Sequence, residues 1–489
     1  MPNTNNHFPQ ITILGLGPGD PQLLTRQVWQ TLNEANEVYL RTSQHPTVDG
    51  FPANLKIHSF DHLYEKEESF TAVYEEIVTQ ILDLAKRPAG VIYAVPGDPY
   101  IAEATSPEIV RRARSLGLSC QILAGISYIE PTFTALGVDP LPHTVLLDAL
   151  ELTQAHHPPF PPNVPVLVAQ LYSPWVASNV KLTLMSLYPD EHPVRLVHGA
   201  GTPAQRVEDL PLYQIDHSPS IGLLTSLYVP PLAQGTSFEA FQEIIAHLRA
   251  PDGCPWDKEQ DHQSLRPNLL EETYEVLSAI DDGDPAAMRE EFGDLLLQIV
   301  LHAQIASEYG EFTMAEVLQG IHHKIVHRHP HVFGDLKASE ATEVIQHWER
   351  IKAEERRENG ENKGMLDGVP LALPSLTQAE AYQKRAARIG FDWPEITGVM
   401  DKVMEEIGEV QEAPNAEARR SELGDLLFSV VNLTRWHNVD AESVLREANL
   451  RFKKRFTYLE KKARTAGREL SSYTLGELDA FWEEAKGKD

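Results

Sequence analysis

The segments Leu269-Leu-Glu-Glu-Thr-Tyr-Glu275 and Glu290-Glu-Phe-Gly-Asp-Leu-Leu296 have close counterparts later in the chain, Met404-Glu-Glu-Ile-Gly-Glu409 and Glu422-Leu-Gly-Asp-Leu-Leu427. Glu406 lies 134 positions after Glu272, and Glu422 lies 131 positions after Glu291, so the chain contains an internal repeat with small insertions. Apolar residues recur at helical spacing around each segment. The repeat therefore predicts two similar helical modules.

Acidic residues in each module are spaced three apart, which places each pair on one face of a helix. If the two helices of a module pack antiparallel, four carboxylates converge, and so many like charges require cations to stay ionised. Oxygen ligands favour hard cations, so the spacing predicts Mg²⁺ or Mn²⁺. A solvated acidic helix face is the alternative. The predicted metal ligands are Glu272, Glu275, Glu291 and Asp294 in the first module, and Glu406, Glu409, Glu422 and Asp425 in the second.

Basic and aromatic residues repeat at matching offsets. Together with an acidic metal site, such side chains could hold a nucleotide, with cations on the phosphates and an indole beside the base. For each tryptophan alone, packing is the alternative role. The matching sets are Lys324, Arg328, Trp348 and Lys352 in the first module, and Arg451, Arg455, Trp482 and Lys486 in the second.

Proline usage changes along the chain, with 26 of the 35 prolines before residue 236. In that part, short β-branched runs alternate with helical patterns, which predicts an α/β domain with a largely parallel sheet. Residues 221–225 are one predicted strand, and the proline-rich residues 156–162 are a predicted linker between two lobes. After residues 229–236 the strand signals end, so the second half is predicted to be all-α.

Three loops follow predicted strands in the first half: Gly15-Leu-Gly-Pro-Gly-Asp20, Pro96-Gly-Asp-Pro99 and Ala124-Gly-Ile-Ser-Tyr128. The first loop lacks the third glycine of a dinucleotide fingerprint, and Pro18 has no N–H for a phosphate. It suits a neutral or cationic ligand, or a close backbone approach. Because strand ends bind ligands in open α/β sheets, the three loops together predict a pocket, although each could be only a tight turn.

Composition limits the partners of the chain. Its 489 residues include 42 Lys+Arg and 71 Asp+Glu, a net charge of −29 that argues against binding to nucleic acid or to an anionic membrane. The two cysteines, Cys120 and Cys254, exclude a disulfide framework and a cysteine-built zinc site. We expect a soluble, cytoplasmic protein, since no apolar run approaches the ~18 residues of a membrane span.

The second half resembles the MazG-type nucleoside triphosphate pyrophosphohydrolases over residues 236–489. The resemblance rests on Gly253-Cys-Pro-Trp-Asp257, the carboxylate segments, Arg328-His-Pro-His-Val-Phe333 and Arg388-Ile-Gly-Phe-Asp-Trp393. It implies that the carboxylates hold Mg²⁺ and that water attacks the α,β-phosphate linkage, releasing a monophosphate and pyrophosphate.

The resemblance favours the second module as the active one, although the first module keeps all four carboxylates. Arg451 stands where lysine is common, which alters the geometry of that contact. The residues implied in catalysis are Glu405 and Glu406 at the carboxylate set, Arg451, Arg455 and Lys486 on phosphate, Trp482 near the nucleoside, and Lys324 and Arg328 in the first module.

The first half resembles the tetrapyrrole (corrin/porphyrin) methylases over about residues 10–229, on the three loops together with Leu23-Leu-Thr25 and Val197-His-Gly-Ala-Gly-Thr202. The resemblance implies that S-adenosylmethionine binds between two α/β lobes. The implied contacts are Pro18, Gly97, Asp98, Ile101, Ser127 and Tyr128.

These expectations give three domains: an α/β two-lobed methylase-like domain at 8–229 and all-α MazG-type helical-bundle modules at 236–358 and 373–489. Three functional hypotheses follow. The chain hydrolyses nucleoside triphosphates; or it chiefly methylates a tetrapyrrole or another acceptor, while the helical half dimerises; or it senses S-adenosylmethionine and adjusts hydrolysis. The family type also implies a homodimer whose pocket is completed by both chains.

Overall fold

The computed structural model describes residues 9–67, 69–337, 340, 343–344, 347–348, 350–351, 355 and 364–487. Its internal contacts divide the chain into two compact units, one up to residue 318 and one from residue 319. An α/β part followed by helices confirms the predicted fold class, while the three predicted domain ranges remain predictions. The described helices are all too short or too polar to cross a lipid bilayer.

The strands all lie in the first unit: β1 Ile11–Gly15, β2 Glu37–Leu40, β3 Lys56–Ser59, β4 Val91–Val95, β5 Cys120–Leu123, β6 Val145–Asp148, β7 Val166–Ala169, β8 Pro193–His198, β9 Arg206–Pro211 and β10 Thr225–Val229. The α-helices of that α/β part are α1 Arg26–Glu34, α2 Asp61–Lys66, α3 Phe70–Leu84, α4 Thr105–Ser115, α5 Ile129–Leu136, α6 Ala149–Gln154 and α7 Pro174–Met185.

The first lobe is a parallel sheet in the order β3-β2-β4-β1-β5. Its inner strands β1 and β4 are buried on both faces. Ile13 and Tyr93 pack against α3 and α4, whereas Leu14 and Leu40 pack against α1. Helices on both faces explain why the sequences of β1 and β4 are nearly continuous apolar runs.

The second lobe has the order β6-β7-β10-β8-β9, in which only β6 and β7 are parallel. The expectation of a largely parallel sheet is therefore wrong for this lobe. Here β8, β9 and β10 are linked without a crossover α-helix between them, which allows antiparallel pairing. Phe133 and Leu136 of α5 pack on one face of this sheet, so the chain enters the second lobe directly after residues 124–128.

Two local expectations are corrected. The predicted strand at 221–225 shares only Thr225 with β10, because the chain turns at residues 222–224 and its five buried strand residues come afterwards. Residues 156–162 do not link the lobes. They lie inside the second lobe, where Phe160 is part of the core and the carbonyl of Pro162 accepts a hydrogen bond from Leu232 N at 2.8 Å.

The later helices are α8 Phe238–Arg249, α9 Pro255–Glu259, α10 Arg266–Asp282, α11 Pro285–Glu308, α12 Met314–Arg328, α13 Pro330–Phe333, α14 Ser375–Ala387, α15 Ile396–Glu412, α16 Ala416–Trp436, α17 Ala441–Thr465 and α18 Leu475–Lys486. Helices α10 and α11 form a hairpin. Gly283 ends α10 with φ +64°, and Asp284 caps α11 by accepting from Ala286 N. Helices α15 and α16 pack as the corresponding hairpin, with Asn415 as the cap of α16. Apolar spacing also predicts a helix at 340–358, a range that lies largely outside the described residues.

A buried arginine joins three segments of the first helical region. The Arg249 side chain, 4% exposed, donates to both carboxylate oxygens of Glu308, with Nη2 2.8 Å from Oε2, and to the carbonyl oxygens of Asp257 and Gln260. These bonds satisfy two backbone acceptors near the end of α9. The charge on Arg249 is thus paired and fully hydrogen-bonded, as burial requires.

We expect Arg249→Met to lower the free energy of unfolding by about 3 kcal/mol, because two carbonyls and a carboxylate lose their buried donor. Urea denaturation followed by circular dichroism measures the change. Arg266→Met is the control, since Arg266 is an exposed arginine on the neighbouring helix, and its expected change is within about 0.5 kcal/mol. Equal effects of the two substitutions would contradict this role for Arg249.

Candidate functional site

Each carboxylate hairpin brings three of its four predicted ligands together. Carboxylate oxygens of Glu272, Glu275 and Glu291 all lie within 4.8 Å of one another, and so do those of Glu406, Glu409 and Glu422. We call these the first and second clusters. The i,i+3 pair comes from the first helix of each hairpin and the third residue from the second helix, as the repeat predicts. Such oxygen sets could ligate a hard cation.

The predicted fourth ligands, Asp294 and Asp425, lie one helical turn after Glu291 and Glu422. The carboxylate of Asp294 is close enough to act on Glu272. Burial, followed by the charges of Asp294 and Glu275, raises the pKa of Glu272. Asp425 is exposed at the surface of α16. The close clusters therefore contain three carboxylates each, and the predicted fourth ligands, Asp294 and Asp425, are not among them.

Burial, followed by repulsion between the carboxylates, raises the pKa of members of both clusters. Burial and then the Glu275 charge raise the pKa of Glu291. Burial and then Glu406 and Glu422 raise the pKa of Glu409. A cation among these carboxylates would oppose both effects.

Glu406 is the most buried member of either cluster. It is 3% exposed, and its Oε2 has no hydrogen-bond partner in the described part of the chain. A buried carboxylate oxygen without a donor is costly unless something else pairs with it. The donor set and this oxygen fit a divalent cation.

Lys402 is a residue of the second cluster that sequence reasoning missed. Its Nζ lies 2.8 Å from Glu406 Oε1 and 2.8 Å from Glu405 Oε1. Hydrogen bonds to Glu405 and then to Glu406 raise the pKa of Lys402. A lysine one turn before the first carboxylate pair was the available signal.

The basic and aromatic residues form the same pair in both modules. The guanidinium carbon of Arg328 lies 5.7 Å from the ring centroid of Trp348, and that of Arg455 lies 5.6 Å from that of Trp482. Both are cation–π contacts. Arg328 also donates to Glu355 at 2.6 Å. The repeat thus extends to the geometry of these side chains.

The remaining predicted phosphate contacts lie at the surface. Arg451 pairs with Glu447 at 3.4 Å, Lys486 pairs with Glu483, and Lys324 is exposed on α12. In the second module the Arg455–Trp482 pair belongs to α17 and α18, whereas the carboxylates belong to α15 and α16. Lys352 lies outside the described residues.

The three glycine-containing loops meet at the carboxyl edge of the first sheet. Gly17 and Gly97 form a bridge, with Gly17 donating at 3.2 Å and Gly97 at 2.8 Å. A Cβ on Gly125 would lie 2.1 Å from Gly97 O, and one on Gly15 would lie 2.5 Å from Gly125 N. Among the alternatives for these loops, the close backbone approach is therefore present.

Asp98 and Ser127 hold these loops in place. Asp98 accepts hydrogen bonds from Gly125 N at 3.2 Å and Tyr100 N at 2.9 Å. The hydroxyl of Ser127 donates to Glu130 at 2.6 Å and accepts from Ile129 N at 3.0 Å. Both side chains thus take part in the structure of these loops.

The other predicted cofactor contacts differ in exposure. Pro18 is buried, with its ring beside Gly201, and Ile101 is 38% exposed. Burial raises the pKa of Tyr128 to about 12, so its hydroxyl stays protonated at neutral pH.

A buried polar group near these loops was also missed. Arg41, which follows β2, pairs with Glu103, and Glu103 Oε1 accepts from Thr105 N at 2.8 Å. His45 is 6% exposed; burial and then the Arg41 charge lower its pKa to about 4. An arginine directly after a strand was the only signal for this group.

Comparison with known proteins matches both halves to families. Residues 10–216 match the model of the tetrapyrrole (corrin/porphyrin) methylases, and residues 260–333 match that of the MazG nucleotide pyrophosphohydrolase domain. Both resemblances inferred from the sequence are thereby confirmed.

Three relatives match all or about half of the chain. The Bacillus subtilis protein YabN, which is described as uncharacterized, is 40% identical over 491 aligned residues, covering 98% of each chain. The nucleoside triphosphate pyrophosphohydrolase/pyrophosphatase MazG of Thermotoga maritima is 43% identical, covering 52% of this chain and 98% of its own. The nucleoside triphosphate pyrophosphohydrolase of Escherichia coli K12 is 43% identical, covering 50% of this chain and 95% of its own. The chain therefore belongs to the family, shared with YabN, in which a tetrapyrrole methylase domain is joined to a MazG nucleotide pyrophosphohydrolase region.

Proposed function

We propose that the helical half hydrolyses nucleoside triphosphates to monophosphates and pyrophosphate in a reaction that depends on Mg²⁺, with Mn²⁺ as a substitute. The observation that carries the proposal is the repeated carboxylate cluster, above all the buried Glu406 with an oxygen that lacks a donor. A cation there would neutralise phosphate charge and lower the pKa of a nearby water. The names of the Thermotoga and Escherichia relatives support the reaction class.

The chain's own residues would supply the remaining functions. Glu406, Glu409 and Glu422 hold the cation, and Asp425 serves as a further acidic ligand. Glu405, which is exposed beside the cluster, can take the proton of the attacking water. Water attacks the α-phosphorus, the α,β-anhydride bond breaks, and pyrophosphate leaves.

Substrate binding would use basic side chains of α17 and α18. Arg455, already placed over Trp482, and the exposed Arg451 and Lys486 would offset the charge of the triphosphate. The indole would border the nucleoside. Exposed apolar side chains on the carboxylate helices, such as Leu427 at 60% and Ile299 at 43%, support a homodimer in which a second copy covers them.

Incubation of the purified chain with the eight common ribo- and deoxyribonucleoside triphosphates and Mg²⁺ tests the reaction. We expect equimolar monophosphate and pyrophosphate, lost on addition of EDTA and restored by excess Mg²⁺ or Mn²⁺. Product separation by ion-exchange chromatography distinguishes the outcomes. Release of orthophosphate with a diphosphate product would contradict attack at the α-phosphorus.

We also propose that the first half binds S-adenosylmethionine at the three converging loops, with a tetrapyrrole or another methyl acceptor as its further partner. The convergence of the three loops at the carboxyl edge of a parallel sheet supports this proposal, because open α/β sheets bind ligands at that edge. Isothermal titration calorimetry with S-adenosylmethionine measures binding. The absence of heat at millimolar cofactor would exclude both the methyltransferase and the sensor hypotheses.

A further inference from the structure

One difference between the two carboxylate clusters is a positively charged residue that contacts the second. Lys402 Nζ lies 2.8 Å from Glu406 Oε1, and the side chain of Lys402 is 33% exposed while that of Glu406 is 4% exposed. The positive charge of Lys402 therefore neutralises part of the negative charge of the second cluster.

The first cluster has a neutral residue at the matching position. Glu272 and Glu406 are separated by 134 positions, and the residue 134 positions before Lys402 is Asn268. Both precede their first cluster carboxylate by four residues on a helix, which places them on the same face one turn earlier. An amide cannot supply the charge that an ammonium supplies.

Burial makes the Lys402–Glu406 pair different from an ordinary surface pair on a helix. Exposed i,i+4 pairs contribute little because water screens both charges. Here the carboxylate is nearly excluded from water, and its second oxygen, Oε2, has no donor among the described residues. The pair therefore responds strongly to any further cation that approaches Glu406.

We propose that Lys402 is a built-in counter-cation of the second cluster, which a divalent cation must displace from Glu406 Oε1. The second cluster then binds divalent cations more weakly than the first, although each cluster contains three carboxylates. The inference rests on the proposed function only in treating both clusters as cation sites. It assigns the two modules different metal affinities, so that at limiting metal the first cluster fills before the second.

Titration of the full chain with Mn²⁺ tests the inference without nucleotide, using electron paramagnetic resonance to count free Mn²⁺. Two backgrounds isolate the clusters: Glu272→Gln with Glu275→Gln leaves the second, and Glu406→Gln with Glu409→Gln leaves the first. We expect Lys402→Met to tighten Mn²⁺ binding at the second cluster about tenfold. We expect Asn268→Lys, the reciprocal change, to weaken binding at the first cluster by a similar factor.

An unchanged or weaker Mn²⁺ affinity in Lys402→Met would overturn the proposal. An unchanged affinity would mean that the lysine and the metal bind Glu406 together, and a weaker affinity would mean that the lysine holds Glu406 in place for the metal. Absence of Mn²⁺ binding at both clusters would also overturn it. Lys402→Gln repeats the test with a polar side chain, and thermal melting confirms that each variant is folded. Nucleotide hydrolysis is measured separately. Loss of the proposed hydrolysis with the expected Mn²⁺ shifts would refute the function and leave the counter-cation intact.

Discussion

Replacing both Glu409 and Asp425 by alanine is expected to lower kcat/KM for nucleoside triphosphate hydrolysis at least about a hundredfold, about 2.7 kcal/mol of transition-state stabilisation. Glu409 is one of the three carboxylates of the second cluster, and its removal leaves Glu406 and Glu422 too few to hold a cation firmly. Asp425 lies one turn after Glu422 on the same helix. Steady-state kinetics with pyrophosphate detection measure the loss.

The matched control is the double substitution Glu275→Ala and Asp294→Ala at the corresponding positions of the first module. We expect it to retain most of the hydrolysis, because the second module contains the nearly buried Glu406 and has its carboxylates and its Arg455–Trp482 pair in one compact unit. A wild-type rate in the Glu409 and Asp425 variant would show that the assignment to the second module is wrong. Equal losses in both variants would show that the modules work together.

The sequence is most informative in the helices, where the helical repeat of about 3.6 residues predicts the positions of several side chains together. The helical spacing of residues 285–309 predicts one long helix, and the structure has α11 at Pro285–Glu308. The same spacing brings three carboxylates of each repeat together. The same repeat anticipated matching Arg–Trp pairs, although not that the side chains would touch. Regular helices fix the direction of every side chain, so spacing along the chain becomes spacing in three dimensions.

Features that depend on packing between distant segments were less accessible. Strand β10 was placed four residues early, because Ile221 and Leu223 are as apolar as the buried residues Leu227 and Val229. The antiparallel order of the second sheet likewise has no local signature. The charge of Lys402 is visible in the sequence, but its effect on the second cluster depends on the burial of Glu406, which only the folded hairpin shows.

The glycines of the first half illustrate the same limit. Their spacing excludes a dinucleotide fingerprint, yet it does not reveal that Gly15, Gly97 and Gly125 converge from three separate strand ends. That convergence leaves no room for a side chain. A Cβ on Gly125 would lie 2.1 Å from Gly97 O and 2.8 Å from Gly15 Cα, distances far inside van der Waals contact. The obstructing atoms are backbone atoms, which cannot rotate away as a flexible side chain would.

We expect Gly125→Ala to lower the free energy of unfolding by about 3 kcal/mol, since overpacking at a rigid site costs about that much. The melting temperature of the first unit should fall by about 6–12 °C. Binding of S-adenosylmethionine should be lost as well, because the loops must separate to make room for the methyl side chain of the new alanine. Differential scanning calorimetry and isothermal titration calorimetry measure the two effects.

Gly222→Ala is the matched control, since nothing lies within 4 Å of a Cβ at Gly222 in the same unit. Its expected change in the free energy of unfolding is within about 0.5 kcal/mol, and cofactor binding should persist. If Gly125→Ala has the same melting temperature as the wild type, the three loops do not approach one another as described. If it melts early but still binds the cofactor, the loops are structural, and the S-adenosylmethionine site lies elsewhere on the first half. Measuring stability and cofactor binding separately thus distinguishes a role of these glycines in folding from a role in ligand binding.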